Sequence, residues 1–266
     1  MTAQTATIVG VNGGFGSLFS AQLAAAGWTL HGVDLAPAAL HPEHLSSYHH
    51  LPQDLPENVP DAVFADSGVW LLCTPDWATF RWAEYLVPGM AEGTLCLDIL
   101  SVKEPITEYV GRMDFEGEYL SLHPMFSSTA GFTGQTVAAI PVQDGPLGAE
   151  FTRLLEEWGA RVVRLDAENH DRTTAILQVG VHAALLALAR AAYEAAADPG
   201  LLDQLATPVS GPVFEALARV LQGQPETYQA IQDQNRYADV TRRTMVNAIR
   251  ELEHEDNLEW LFKKLR

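Results

Sequence analysis

Short apolar runs, each halted by a glycine or a polar residue, recur through the first 166 residues. Ala6-Thr7-Ile8-Val9 stops at Gly10, Thr29 to Val33 stops at Asp34, and Val69-Trp70-Leu71-Leu72-Cys73 stops at Thr74-Pro75. Thr94 to Leu97 stops at Asp98, Tyr119 to Leu122 at His123, and Val137 to Val142 at Gln143; Arg161 to Leu165 is the last of the series. The continuous apolar run Val69 to Cys73, a pattern repeated by Thr94 to Leu97, predicts a strand buried on both faces. Alanine-rich Leu18 to Ala26 carries helical spacing instead. Strands interleaved with helices predict an α/β domain with a mostly parallel, Rossmann-like sheet. Residues 36 to 60, rich in His, Pro and Ser, read as an irregular connection.

After Asp166 the texture changes. One long helix is expected over Ala167 to Ala197, closed by Asp198-Pro199-Gly200. Further helices are expected at about Pro212 to Leu221, Pro225 to His254 and Leu258 to Leu265. Pro212 suits a first helical position, where no amide donor is needed. The expected division is a dinucleotide-binding domain over 1–166 and an all-helical substrate-binding and dimerisation domain over 167–266. Leu185, Leu186, Leu188, Phe214, Leu217 and Leu221 are more apolar surface than a lone helical appendage would expose. A homodimer through residues after about 166 is therefore expected.

Charge narrows the partners. The 266 residues carry a formal net charge of −18. With no basic face to release counterions, neither nucleic acid nor an anionic membrane surface is an expected partner. An anionic small molecule needs a local cluster of donors to bind such a chain. The run from Val179 to Ala189 is too short to span a bilayer, and Met1-Thr2-Ala3-Gln4-Thr5 lacks a signal-peptide pattern. A soluble cytoplasmic protein is expected. Cys73 and Cys96 fall in apolar runs and read as buried reduced thiols. No CxxC, HExxH or His/Cys ligand spacing is evident, so no metal is expected. His31, His41, His44, His49 and His50 receive no role.

The residues that halt the strands carry the chemistry, because ligands of such sheets collect at the carboxyl ends of strands. The glycine loop runs Gly10-Val11-Asn12-Gly13-Gly14-Phe15-Gly16. It departs from G-x-G-x-x-G, where Asn12 and Phe15 intrude, yet Gly10, Gly13 and Gly16 fit a turn that brings backbone N–H groups to a pyrophosphate. A tight turn without a ligand is the other reading. Asp34 stands where a carboxylate would bond the ribose hydroxyls of NAD and repel the 2′-phosphate of NADP. Thr74 and Pro75 end a neighbouring strand on the same edge. His123 could act as a general base near neutral pH, or be a packed histidine. Farther on, His170, Thr174, Gln178 and His182 recur every four residues and share one helix face. They pair within the protein, or Gln178 and His182 point into a cleft between domains. Arg236, Arg242 and Arg243 make surface salt bridges, or one of them clamps a carboxylate.

With these residues in place, the chain resembles the prephenate dehydrogenases. The resemblance rests on Asp98-x-x-Ser101-Val102-Lys103, Leu122-His123-Pro124-Met125-Phe126, Glu168-x-His170-Asp171 and Gln178-x-x-x-His182, and covers nearly the whole chain. It implies NAD-dependent oxidative decarboxylation of prephenate to 4-hydroxyphenylpyruvate by a monofunctional homodimer. It further implies that His123 accepts the proton of the ring C4 hydroxyl and that Ser101 hydrogen-bonds the same hydroxyl and His123. Gln178 and His182 would line the substrate pocket, and Arg236 is the nearest candidate for the carboxylate clamp. Ser127-Ser128-Thr129 stands where many relatives have a glycine, which puts Ser127 among the substrate-side positions. Some relatives oxidise arogenate or 4-amino-4-deoxyprephenate. An alternative of a different class is a catalytically silent dinucleotide sensor, against which the presence of both His123 and Ser101 speaks.

Overall fold

The computed structural model describes residues 4–53, 55–252, 259, 262 and 263. Two compact units emerge, residues 1–170 and residues 171–266. The expected division near 166 lies four residues earlier.

The first unit is built on eight strands: β1 (Thr5–Val9), β2 (Thr29–Asp34), β3 (Ser47–His50), β4 (Val69–Leu72), β5 (Leu95–Asp98), β6 (Glu118–Pro124), β7 (Thr136–Gln143) and β8 (Arg161–Arg164). They form one sheet in the order β3-β2-β1-β4-β5-β6-β7-β8. Every pairing is parallel except β6 with β7, which is antiparallel. Helices α1 (Gly14–Ala25), α2 (Asp61–Asp66), α3 (Asp76–Leu86), α4 (Glu104–Val110) and α5 (Pro146–Glu157) connect the strands. The runs of β4, β5 and β6 are buried on both faces, whereas Arg161–Arg164, at the edge of the sheet, is largely exposed. Ile8, Leu71, Leu97 and Leu122 join Phe19 and Phe151 in one core cluster. Val9, Leu72, Cys96 and Tyr119 join Trp70 and Trp82 in the other. Strand order reverses at β1, between β2 and β4, which is the place where such sheets open a crevice.

The expected irregular connection over 36–60 contains a strand. Ser47–His50 pairs with His31–Asp34 as the edge of the sheet. Its Ser-Tyr-His-His sequence is half-buried or exposed and presents no apolar run to read.

The described elements of the second unit are helical, and the first of them begins just before the boundary. The expected single helix from Ala167 is three segments: α6 (Ala167–Thr174), a π-helical turn (Ala175–Gly180) and α7 (Val181–Glu194). Together they run 28 residues and, by length and composition alone, suffice to cross a membrane, which the shorter run Val179 to Ala189 did not. Then follow α8 (Pro199–Gln204), α9 (Ser210–Gln222), α10 (Pro225–Gln234) and α11 (Ala238–Glu251). Pro212 is the third residue of α9 rather than its first, still within the turn whose amides lack intrahelical acceptors. The helix expected over Pro225 to His254 breaks at Asn235–Tyr237, although neither Gly nor Pro stands there. The buried Asn235 side chain imposes the break: its Nδ2 donates to the Asp171 carbonyl at 2.8 Å, and its Oδ1 accepts from the Tyr237 amide at 2.9 Å. Residues 253 and 254, and most of the helix expected near Leu258 to Leu265, lie outside the described residues.

Candidate active site

At the crevice beside β1, the glycine loop does what its composition requires. Gly10 has φ +77°, and a Cβ there would collide with the Cys73 carbonyl at the end of β4. Gly16 is buried in α1, where a Cβ would collide with the Gly10 carbonyl. Both glycines are therefore needed for the loop to lie flat against the sheet and for α1 to start directly above it. Gly13 is solvent-exposed at the helix start, its amide donating to Gly10 O at 3.0 Å.

A cavity of about 350 Å³ opens here, lined by Gly10, Asn12, Gly13, Asp34, Thr74 and Pro75 together with Leu35, Leu51 and Trp77. Six of the eight residues expected around a cofactor thus meet at one opening. Gly16 instead permits close packing, and Phe15 places its ring edge-on to Phe126 at 5.7 Å. The Asp34 carboxylate accepts from the Asn12 amide at 2.9 Å and the Ala36 amide at 3.0 Å. These bonds hold it at the rim, with acceptor capacity left for hydroxyls. Asn12 is more than a loop residue. Its Oδ1 accepts from the Leu40 amide at 2.8 Å and its Nδ2 donates to the Ala38 carbonyl at 3.0 Å, tying the segment after β2 to the glycine loop. Trp77, 61% exposed although its indole lines the cavity, escaped the sequence reading. The cradle that a Cβ would fill, the exposed helix start and the acidic rim suit a dinucleotide.

A second cluster lies at the ends of β5 and β6. Parallel pairing sets Asp98 beside Ser121, so the residues that follow each strand are neighbours. Lys103 is fully buried. Its ammonium donates to Asp98 Oδ1 at 3.1 Å, to Ser121 Oγ at 2.8 Å and to the Leu122 carbonyl. Asp98 also accepts from the Leu100 amide and the Tyr119 hydroxyl, both at 3.0 Å. Such saturation is what a buried charge requires. The next residue after that carbonyl is His123, 3% exposed, with Nδ1 2.9 Å from His170 Nε2. Burial, the neighbouring His170 and the Lys103 ammonium all push the His123 pKa well below the ordinary imidazole value. His123 is neutral at pH 7. Ser101, half-buried three residues beyond β5, makes no hydrogen bond to His123 among the described residues. Ser127 is exposed and meets Thr129, hydroxyl to hydroxyl, at 3.1 Å.

Lys103 and His170 carried no site role in the sequence reading. Lys103 follows Asp98 by five positions in a mostly apolar stretch, near enough along the chain for the two charges to pair. The partnership of His170 with a residue 47 positions away leaves no trace in the sequence.

Within the helical unit, Gln178 lies in the π turn and His182 in the first turn of α7. The His182 ring stands edge-on to Tyr228 at 4.8 Å, and its Nδ1 is buried without a hydrogen-bond partner among the described residues. Burial lowers its pKa. Gly180 lets α11 approach, since a Cβ there would meet Met245 Sδ at 3.3 Å. π turns interrupt helices often at functional positions. Arg236 is exposed, its guanidinium over the Tyr237 ring at 5.0 Å and bonded to that hydroxyl at 2.8 Å. Arg242, the alternative clamp, is engaged by Gln232 Oε1 at 2.7 Å and by Asp239.

The model of the prephenate dehydrogenase dimerisation domain matches residues 166–266. The chain is 32% identical over 240 residues to the 4-amino-4-deoxyprephenate dehydrogenase of Streptomyces pristinaespiralis, covering 90% of this chain and 80% of that one. To the T-protein of Enterobacter agglomerans it is 26% identical over 228 residues, 84% of this chain but only 55% of the relative. Among solved structures, Synechocystis arogenate dehydrogenase superposes with a TM-score of 0.70 at 19% identity, covering 98% of this chain and 93% of that one. Prephenate dehydrogenase from A. aeolicus, in complex with hydroxyphenyl propionate and NAD⁺, gives 0.68 at 19% identity, covering 99% and 96%.

Proposed function

The chain belongs to the family of prephenate, arogenate and 4-amino-4-deoxyprephenate dehydrogenases, and from that premise we propose that it oxidises and decarboxylates prephenate with NAD⁺. The observation that carries this reading is the buried, neutral His123 at the end of β6, held at Nδ1 by His170. A catalytically silent protein has no use for an imidazole kept unprotonated at a strand end.

The cavity bounded by Gly10, Gly13, Asp34 and Thr74 is assigned to the dinucleotide, with Asp34 selecting NAD⁺ over NADP⁺. When bound, the oxidised nicotinamide supplies the acceptor for the hydride that leaves ring C4. In the working arrangement His123 donates Nδ1–H to His170, which puts its lone pair on Nε2. That nitrogen takes the C4 hydroxyl proton, and Ser101 orients the same hydroxyl. Loss of CO₂ from C1 leaves its electron pair in the ring, which becomes aromatic. The proton then returns from His123 to the ring oxygen. The Lys103 charge disfavours a lasting imidazolium and so promotes that return. Gln178, His182, Arg236 and Ser127 are assigned to the substrate side.

A second reading, the same chemistry on 4-amino-4-deoxyprephenate, is favoured by the Streptomyces relative. The same base is required there. Initial rates of reduced-nicotinamide formation with prephenate, arogenate and the 4-amino compound in parallel separate these readings, and no turnover with any of the three would remove both.

The helical unit is proposed to form a homodimer. Ile176, Leu177, Val181, Leu186, Leu188 and Ile249 are each more than a third exposed, an apolar surface that favours burial against a second copy. Light scattering at micromolar concentration checks this, a monomeric mass being the contrary result.

A further inference from the structure

The connection between β2 and β3 carries a cluster of side chains that plays no part in the chemistry above. His41, Glu43 and His44 each offer one ligand atom, and the three atoms lie within 4.8 Å of one another. Among the described residues this is the one group of three His, Cys, Asp or Glu side chains so placed. Glu43 Oε1 stands 3.3 Å from His41 Nδ1 and 3.8 Å from His44 Nε2. Ligands at about 2.0–2.1 Å around a tetrahedral ion are spaced about 3.3 Å apart, so small side-chain adjustments would close the shell. The two imidazoles are nearly parallel, 21° apart with centroids 5.3 Å apart.

The backbone is fixed on both sides of the cluster. Pro42 opens a single 3₁₀ turn over Pro42–His44. Before it, the Leu40 amide donates to Asn12 Oδ1 at 2.8 Å, and after it the Ser46 amide donates to the Leu30 carbonyl at 2.8 Å. Preorganisation of this kind removes much of the ordering cost of binding.

We propose that His41, Glu43 and His44 bind a divalent cation of the zinc class, with water completing a four-coordinate shell. Two imidazoles and one carboxylate suit zinc and its transition-metal neighbours rather than magnesium or calcium, which take oxygen ligands. The formal charge of −18 raises the local concentration of any cation. A bound ion would clamp the β2–β3 connection, which Asn12 ties to the glycine loop.

The test is calorimetric titration of the chelator-treated full chain with Zn²⁺, alongside His41→Ala, His44→Ala and Glu43→Gln. One Zn²⁺ per chain is expected, with binding weakened at least about tenfold in each variant, since the loss of even an outer-shell partner costs that much. Co²⁺ in place of Zn²⁺ should give the intense visible bands of a four-coordinate ion, and these should disappear in the His41→Ala/His44→Ala double variant. Failure of the unmutated chain to take up Zn²⁺ overturns the proposal. So does unchanged Zn²⁺ affinity in the double variant, which would place the ion on other histidines. Circular dichroism of the variants, whose substituted side chains are largely at the surface, confirms that they fold.

Discussion

His123 Nδ1 and His170 Nε2 stand 2.9 Å apart in a buried setting. One of these nitrogens must carry the proton and the other must accept it. If His123 donates, its Nε2 is left with a lone pair; if His170 donates, His123 bears its proton on Nε2 and is no base there. The contact thus couples the two tautomers, and a base at His123 Nε2 requires the arrangement in which His123 donates. His123→Asn should lower kcat by about 10²–10⁴-fold, the usual contribution of a positioned general base. His170→Ala should lower kcat less and leave substrate KM nearly unchanged, and His170→Gln, which keeps an acceptor, should recover part of the loss. Initial rates of reduced-nicotinamide formation check all three. A His123→Asn enzyme of nearly full activity would put the base elsewhere.

The low pKa of His123 sets the pH dependence. An unperturbed imidazole would produce a rate rising through about pH 6.5. Here burial, His170 and Lys103 hold the folded-state value well below that. The kcat/KM profile should therefore be flat through neutrality and fall only in more acidic solution. Stability follows the same group. Between the folded and unfolded pKa values the unfolded chain binds more protons, so stability is complete above about pH 6.5 and declines as pH falls toward the folded value, by at most about 1.4 kcal/mol per pH unit. Melting temperatures between pH 5 and 7 should decline less steeply in His123→Asn, and identical slopes would count against the assignment.

Lys103 and Asp98 form a fully buried ion pair. Removing one member of such a pair leaves the other charge uncompensated, at a cost of roughly 3–5 kcal/mol. Lys103→Met should therefore lower the melting temperature substantially. Because the Lys103 charge also depresses His123, any activity that remains should fail at a higher pH than in the unmutated enzyme. A variant as stable as the parent would mean that Asp98 is accommodated without the ammonium.

In the helical unit, His182 keeps one buried ring nitrogen without a hydrogen-bond partner among the described residues, an uncommon and costly state. A substrate polar group would satisfy it. His182→Ala should raise substrate KM while leaving NAD⁺ affinity alone. Arg236→Ala should behave likewise, by about tenfold or more, since hydrogen bonds to charged groups are worth roughly 1.5–3 kcal/mol. An unchanged KM in both would move the substrate contacts to other residues.

What the sequence revealed and what it concealed divide along physical lines. Asp34, Asp98 and His123 were legible because each ends an apolar run, and a run buried on both faces needs no partner to be recognised. Gly10 and Gly16 were legible because close backbone approach excludes every other residue. The edge strand Ser47–His50 was not, since its one apolar-bodied side chain, Tyr48, gives no period. The break at Asn235 was hidden because a single amide side chain makes it, through contacts 64 positions back along the chain. The π turn at Ala175–Gly180 changes hydrogen bonding without changing composition, so the four-residue recurrence from His170 to His182 read as one unbroken helix. His170 was seen in that stripe and in Glu168-x-His170-Asp171, but not as the partner of His123.

Cofactor choice is the remaining prediction. The Asp34 carboxylate is fixed at the cavity rim by two backbone amides, those of Asn12 and Ala36. A negative charge so held cannot swing aside for a 2′-phosphate, and placing the two together in a half-buried site is repulsive. No arginine follows β2 within the rim segment to offset it. The unmutated enzyme should therefore show a clearly higher kcat/KM with NAD⁺ than with NADP⁺. Asp34→Ser removes the charge while keeping a short hydroxyl for the ribose. It should narrow that ratio from both sides, by weakening NAD⁺ and relieving NADP⁺. Trp77→Ala provides the control: an exposed indole lining the same cavity contributes apolar contact to either cofactor. Its loss should raise both KM values together and leave the ratio unchanged. Comparable kcat/KM for the two cofactors in the unmutated protein would show that Asp34 does not face the ribose.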